Sequence, residues 1–173
     1  ALIGFESLDI DSLRELKKHW NTKWQSYDDA IRVFRNAGIM LYGTFVFGCD
    51  NDTVSSFDRS VEFALRNKFL LANFNPLTPT PGATLFDQMK KEGRLLHDRW
   101  WLDSDFGYGD ATFEPRGMSA GELTAGCFAA RKKFNTAKSS VRRVFDVRAN
   151  LRSPYRAGSS LAANLLSRRE IHR

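Results

Sequence analysis

Apolar positions along the first half of the chain follow two different periods, and the change between them marks the predicted elements. Largely apolar runs at residues 1–5, 39–47 and 69–75 are typical of buried strands. Each run is followed by apolar residues spaced three or four apart, which predicts a helix. Residues 1–93 therefore predict three strand–helix units, and hence a parallel sheet with right-handed crossovers.

The ends of the three predicted strands are the candidate site. The second strand stops at Gly48, and a polar turn follows before a helix that Asp52 or Thr53 would cap. Glycine lets a ligand approach the backbone, and the free N–H groups of a helix attract anionic groups. Polar or glycine-containing segments follow all three strands, at residues 6–7, 48–52 and 75–80, and ligands of parallel α/β folds bind at such ends. An ordinary strand–turn–helix corner without a ligand is the alternative.

The second half of the chain has a different character. Residues 94–118 are irregular and contain the pair Trp100–Trp101, which more often clamps a loop onto the core than lines a pocket. The capping box formed by Ser119 and Glu122 predicts one long helix with apolar residues as far as Phe145. A break near Pro154 and a short helix over residues 161–167 follow. The predicted domains are three β–α units (1–93), an irregular aromatic-rich connection (94–118) and a basic helical extension (119–173).

Composition favours a globular protein. Hydrophobic residues make up 42% of the chain and aromatic residues 13%, and the apolar runs are far shorter than the roughly 20 residues of a membrane span. No signal peptide is recognisable, which predicts a cytoplasmic location, either free or peripheral to a membrane. Because the sequence begins within a predicted strand and not at methionine, we expect a segment of a longer protein.

Positive charge is concentrated at the C-terminal end. Residues 131–173 contain 12 Lys/Arg and 2 Asp/Glu, whereas residues 1–130 carry a net charge of −4. A basic tail on an acidic body predicts a contact between residues 131–173 and an anionic surface. The solvated face of ordinary helices is the alternative.

The sequence contains no recognisable metal site or catalytic nucleophile. Cys49 and Cys127 have no partners at ligand spacing, so we predict buried thiols and neither a disulfide nor a metal site. His19, His97 and His172 are equally isolated. We therefore assign no catalytic and no metal-binding residue within this chain.

The order of several motifs resembles a known family. The segments GFES (4–7), AGI (37–39), FG (47–48) and NPLTPTPGATL (75–85) resemble the second half of radical S-adenosylmethionine enzymes, most closely the branch with an N-terminal cobalamin-binding domain. The resemblance continues through GRLL (93–96), WW (100–101) and DATF (110–113), and so covers nearly the whole chain. It implies an α/β fold: the second half of a partial (β/α)6 TIM-like barrel, containing its fourth to sixth strands, with a C-terminal helical extension. In such a half barrel, the edge at residues 1–5 and the inner face, with Phe45 and Phe47 or their neighbours, would be uncovered.

The resemblance also implies cofactors and their contacts. In that family the Glu-Ser region of the fourth strand approaches the ribose and methionine portion of S-adenosylmethionine, and the ends of the fifth and sixth strands approach its adenine. Carried over to this chain, the cofactor-binding residues are Glu6, Ser7, Phe47, Gly48, Asn75 and Pro76. The three-cysteine motif that holds the family's 4Fe–4S cluster is absent here, so the ligands of this iron–sulfur cluster would lie outside the chain. A cobalamin-binding domain would also lie outside it.

The implied function belongs to the longer protein. The parent would be a radical enzyme, of oxidoreductase or methyltransferase type, that reductively cleaves S-adenosylmethionine to attack an unreactive C–H bond. This chain alone would be inactive. Its partners would be the missing N-terminal half of the same polypeptide and an unidentified small-molecule or lipid-like substrate.

Two other interpretations remain. One is a stand-alone basic interaction module that binds nucleic acid or an anionic membrane. The other is a piece of a different (β/α) barrel that binds phosphate, which is disfavoured because the chain has no glycine-rich phosphate loop.

Overall fold

The computed structural model describes residues 1–18 and 27–170. Three strands, β1 (Leu2–Glu6), β2 (Tyr42–Phe47) and β3 (Leu71–Pro76), form a parallel sheet in the order β1-β2-β3. The α-helices are α1 (Ile10–Glu15), α2 (Tyr27–Asn36), α3 (Val54–Arg66), α4 (Thr84–Lys91), α5 (Ala120–Phe134), α6 (Ala137–Val144) and α7 (Pro154–Glu170), and Trp100–Leu102 forms a short 3₁₀ helix. The predicted α/β class and the strand–helix alternation with a parallel sheet are confirmed. The spacing of Ser26 and Asp29 in the sequence also predicts a capping box at the start of α2, but Ser26 lies outside the described residues.

The two faces of the sheet differ in what covers them. Side chains alternate between the faces, and the aromatic ones lie on the face under the helices. Phe45 is stacked between Phe5 and Phe74, at ring-centroid distances of 5.6 and 5.3 Å, and all three side chains are buried. The other face, which we call the open face, carries partly buried or exposed residues: Leu2, Gly4, Glu6, Tyr42, Thr44, Val46, Leu71, Asn73 and Asn75.

Phe45 and Phe47 therefore do not line the open face, and their strand neighbours Thr44 and Val46, the other possibility that the sequence left open, do. Both rings are buried on the covered side, where Phe47 lies 4.6 Å from the ring of Phe57 on α3. The larger, apolar side chains of β2 pack under the helices because burying them removes more apolar area from water. The uncovered face carries Tyr42, Thr44 and Val46 in their place.

The C-terminal helices depart from the sequence prediction at two points. The single long helix predicted from Ser119 is two helices, because Thr136 caps a new one: its hydroxyl accepts from the Ser139 N–H. Helix α7 begins at Pro154 and not near residue 161, since proline is tolerated at the first position of a helix. Val141 and Phe145, predicted to belong to the single long helix, lie beyond this break and are exposed.

Several cations of this C-terminal region hold it against the body of the protein. The buried guanidinium of Arg143 donates from Nη1 to the carbonyls of Phe69 and Leu70, at 3.1 and 2.7 Å. Arg152 and Arg156 donate to the carbonyls of residues 37 and 38, where the negative end of the α2 dipole favours positive charge. Part of the C-terminal charge therefore has an internal structural role.

Candidate functional site

The carboxyl ends of the three strands lie side by side at one edge of the sheet, as predicted. The register pairs Glu6 with Phe45 and Phe47 with Pro76. The six residues chosen from the sequence thus lie at this edge, but their side chains point in different directions.

Glu6 is turned onto the open face by an irregular backbone. Its φ is 61°, in the left-handed region that non-glycine residues rarely adopt, and the strand pairing shifts register between Gly4 and Glu6. The carboxylate consequently lies over Gly4, where a Cβ atom would be only 2.6 Å from Glu6 Oε1. The Nζ atom of Lys18 lies 3.3 Å from the same oxygen. A strained residue of this kind costs about 1–3 kcal/mol and is typical of functional sites.

Asn75 lies on the open face beside Val46 and is held by an arginine from α5. Arg131 donates from Nη2 to Asn75 Oδ1 and from Nε to the carbonyl of Phe74, both at 2.9 Å. With Oδ1 engaged, Asn75 offers a ligand the two hydrogens of its Nδ2 group. We did not identify Arg131 from the sequence, because in the sequence it is one of many basic residues of the tail.

The other four candidate residues present backbone, not side chains, at this edge. The buried hydroxyl of Ser7 accepts from the Asp9 N–H at 3.0 Å, and so serves the turn into α1. Phe47 packs under the helices, and its carbonyl accepts from Leu77 N–H at 2.7 Å. Pro76 is buried, and Gly48 adopts a φ of 108° that requires glycine. Contact between these residues and a ligand would therefore involve main-chain atoms.

A carboxylate from the protein occupies the turn after β2, where the sequence suggested an anion site. Asp52 Oδ2 accepts from the N–H groups of both Gly48 and Cys49, each at 3.0 Å. Burial raises the pKa of Asp52, and these two hydrogen bonds oppose the rise. Thr53, the second predicted cap, forms a capping box with Ser56 at the start of α3. The N–H groups of Gly48 and Cys49 are thus already paired with a carboxylate of the protein.

An aromatic-walled cavity of about 380 Å³ adjoins Asn75. It lies at the carboxyl ends of β2 and β3, and its lining includes Val46, Trp100, Phe106, Tyr108 and Arg131. Trp100 packs on Phe106 at 4.8 Å, and the guanidinium of Arg131 lies over the Tyr108 ring at 5.5 Å. The buried indole N–H of Trp100 has no hydrogen-bond partner in the described part of the chain. The irregular segment 94–118 therefore lines a cavity as well as packing against the core.

The two cysteines are buried free thiols, as predicted. Burial raises the pKa of both, that of Cys127 to about 12, so neither readily forms the thiolate that cluster ligation requires. No group of three His, Cys, Asp or Glu side chains suited to a metal ion occurs within residues 1–18 and 27–170, and His19 and His172 lie outside these ranges. These thiols therefore do not fit an iron–sulfur cluster.

Sequence similarity connects the chain to larger proteins. It is 33% identical to bacteriochlorophyllide d C-12(1)-methyltransferase of Chlorobaculum tepidum over 70% of this chain and 25% of the relative. Bacteriochlorophyllide d C-8(2)-methyltransferase of the same organism is 27% identical over 58% of this chain and 22% of the relative. Hopanoid C-2 methylase of Rhodopseudomonas palustris is 27% identical over 56% of this chain and 18% of the relative. The chain belongs to the radical S-adenosylmethionine family.

This radical S-adenosylmethionine segment spans about a quarter, or less, of the length of these relatives. No protein-family model matches the chain. Within the described residues, no helix has the length and apolar character needed to cross a bilayer.

Proposed function

We propose that this chain forms part of the S-adenosylmethionine and substrate pocket of an enzyme that methylates a carbon atom. The membership in the radical S-adenosylmethionine family supports the cofactor, and the names of three relatives, each a methyltransferase or methylase at a numbered carbon, support the reaction. Under this proposal β1, β2 and β3 are the fourth to sixth strands of a partial barrel. Residues 1–93 form its three β–α units, residues 94–118 the aromatic connection and residues 119–173 the basic extension.

The observation that carries the proposal is the convergence of Glu6 and Asn75 on the open face at the carboxyl edge. A carboxylate accepts hydrogen bonds and cannot donate them, so Glu6 suits the hydroxyl or ammonium donors of the cofactor. The Nδ2 group of Asn75 is a hydrogen-bond donor and suits the acceptor nitrogens of adenine, and the bond from Arg131 to Oδ1 fixes the orientation of the amide. Ser7, Phe47, Gly48 and Pro76 would complete the pocket through backbone contacts.

The bound cofactor and its 4Fe–4S cluster would supply the radical chemistry, with cluster ligands and any cobalamin held by other parts of the longer protein. This chain would position the cofactor and exclude water from the cavity beside it. Glu6 would fix one end of the cofactor, Asn75 would orient the other, and the aromatic wall around Trp100 would keep water from the neighbouring cavity. The substrate would enter this cavity from the open side.

The interpretation as a stand-alone module that binds nucleic acid is less well supported, because several cations of the tail already bond to the body of the protein. Arg131, Arg143, Arg152 and Arg156 all donate to backbone carbonyls of residues 37–134. A free-standing nucleic-acid module would leave such cations exposed for phosphate contacts.

The test is equilibrium binding of S-adenosylmethionine to two proteins: the longer polypeptide that contains this segment, and residues 1–173 alone. We expect micromolar affinity for the longer polypeptide with its cluster reconstituted, and binding at least a hundredfold weaker for residues 1–173, because half of the pocket is missing. Absence of binding by a folded, cluster-loaded longer polypeptide would refute the proposal. Micromolar binding by residues 1–173 would refute the division of the pocket between two halves.

A further inference from the structure

The C-terminal segment from residue 137 to residue 169 exposes an unusual amount of apolar surface. Many of the large apolar side chains exposed in the described part of the protein lie in this stretch: Val141, Phe145, Val147, Tyr155, Leu161, Leu165 and Leu166. Isolated exposed apolar residues are common, but a concentration of them marks a site of interaction.

Helix α7 has its polar residues inside and its apolar residues outside. Ser160 and Asn164 are buried, and Asn164 donates to the carbonyl of Leu70 at 3.3 Å. Leu161, Leu165 and Leu166 are 47%, 54% and 60% exposed. At about 100° per residue, these three leucines lie within a sector of roughly 140° on the outward side. Packing within this chain therefore does not account for the apolar face of α7.

Helix α6 adds a second outward face of mixed character. Lys138, Val141, Arg142 and Phe145 follow helical spacing on one side and are exposed, whereas Arg143 is buried on the other. Alternating aliphatic, aromatic and basic side chains on one exposed helical face are typical of helices that lie in a membrane interface.

The exposed charge of this segment has a single sign. Between residues 137 and 169 the only carboxylate is Asp146, which is buried and paired with Arg35 at 2.9 Å, and the next one along the chain is Glu170 at the end of α7. The exposed cations of residues 137–169 are Lys138, Arg142, Arg148, Arg152, Arg168 and Arg169, of which Arg152 donates to the carbonyl of Ala37. A surface of this charge is complementary to anionic headgroups.

We propose that residues 137–169 are a docking surface for an anionic lipid bilayer. The leucines of α7 and Val141 and Phe145 of α6 would enter the interfacial layer, while the flanking cations would contact lipid phosphates. Nucleic acid offers no apolar layer into which leucine and valine side chains could insert. Proteins that bind nucleic acid without sequence preference use aromatic stacking and basic grooves. The aliphatic content therefore favours a bilayer over nucleic acid.

The docking surface lies away from the candidate cofactor site. The C-terminal region is anchored at the amino ends of β2 and β3, through contacts to the carbonyls of Gly38, Lys68 and Leu70. Glu6 and Asn75 lie at the opposite, carboxyl edge. Docking would thus leave the carboxyl edge free.

Flotation of residues 1–173 with vesicles tests the proposal, since aggregated protein does not float with lipid. We expect binding to vesicles of phosphatidylcholine with 30% phosphatidylglycerol and little binding to phosphatidylcholine alone. The triple variant Leu161→Ser, Leu165→Ser, Leu166→Ser should reduce the partition coefficient at least about tenfold. Neutralising Arg168 and Arg169 by glutamine should reduce it by roughly fivefold per charge at low salt.

The matched control is the triple variant Val33→Ser, Val54→Ser, Leu102→Ser, which changes three comparably exposed apolar residues elsewhere and should bind vesicles like the wild type. Circular dichroism establishes that each variant is folded. Equal flotation of the α7 variant and the wild type would overturn the proposal. So would binding to duplex DNA or RNA without binding to anionic vesicles, or a dimer that the α7 variant dissociates while vesicle binding is absent.

Discussion

Arg131 Nη2 donates to Asn75 Oδ1 at 2.9 Å, and this contact joins helix α5 to the carboxyl end of β3. The same guanidinium binds the carbonyl of Phe74 and lies over the Tyr108 ring. One residue from the C-terminal extension thus orients a candidate cofactor contact and supports the wall of the neighbouring cavity.

Replacing Arg131 should therefore weaken cofactor binding indirectly. In the longer polypeptide, Arg131→Met frees the Asn75 amide to rotate, and we expect the affinity for S-adenosylmethionine to fall by about 1–2 kcal/mol, measured by calorimetry. Lys132→Met, which removes an exposed cation at the next position, is the control and should have no effect. If Asn75→Ala weakens binding but Arg131→Met does not, Arg131 has no positioning role.

Removing the Glu6 carboxylate should weaken cofactor binding more directly. We expect Glu6→Ala in the longer polypeptide to cost about 1.5–3 kcal/mol of binding free energy, the value of one charge-assisted hydrogen bond. Glu62→Ala, on the exposed side of α3, is the matched control. A Glu6→Ala protein that folds poorly, but whose folded fraction binds the cofactor normally, would show that the role of Glu6 is structural.

Arg143 should be a major contributor to stability. Its buried guanidinium bonds the carbonyls of Phe69, Leu70 and Phe134, so Arg143→Ala would remove these hydrogen bonds and leave a cavity, although Asn164 and Ser139 still donate to the last two carbonyls. We expect the free energy of unfolding in urea to fall by about 3–5 kcal/mol. The exposed neighbour Arg142 provides the control, since Arg142→Ala should change it by less than about 0.5 kcal/mol. Similar losses in both variants would contradict this assignment.

Asp52 should make stability depend on pH. Because burial raises its pKa, the folded protein retains this proton to higher pH than the unfolded chain does, and the free energy of unfolding should decrease as the pH rises through the folded-state pKa. Asp52→Asn should remove that contribution, which urea unfolding at a series of pH values would measure. Asp52→Ala should cost about 2–4 kcal/mol at any pH, because the N–H groups of Gly48 and Cys49 lose their acceptor. An unchanged pH profile in Asp52→Asn would contradict the prediction.

The exposed apolar start of β1 should cause self-association of residues 1–173. Among the described residues β1 is an outer strand of the sheet, and Leu2 at its start is 66% exposed. We expect concentration-dependent sedimentation, reduced by Leu2→Lys because charged residues protect strand edges. A monodisperse wild-type monomer with cooperative melting would show that this edge does not need a further strand.

The sequence by itself determined the elements that depend on neighbouring residues. Residues at most a few positions apart determine the apolar runs that form β1, β2 and β3. The same is true of the helix caps at Thr53 and Ser119. The parallel sheet follows from the alternation of strands and helices, and the common edge of residues 6, 48 and 75 follows from the parallel sheet. The radical S-adenosylmethionine family was likewise indicated by the order of motifs along the chain.

Only the tertiary structure decided where side chains point and which distant groups meet. The bulge at Glu6 depends on pairing with β2, and the contact between Asn75 and Arg131 spans 56 residues. The break between α5 and α6 and the outward leucines of α7 were missed because a periodic pattern indicates an apolar face without indicating what covers it. Such contacts depend on the balance of burial and hydrogen bonding over the whole fold, which local spacing does not encode.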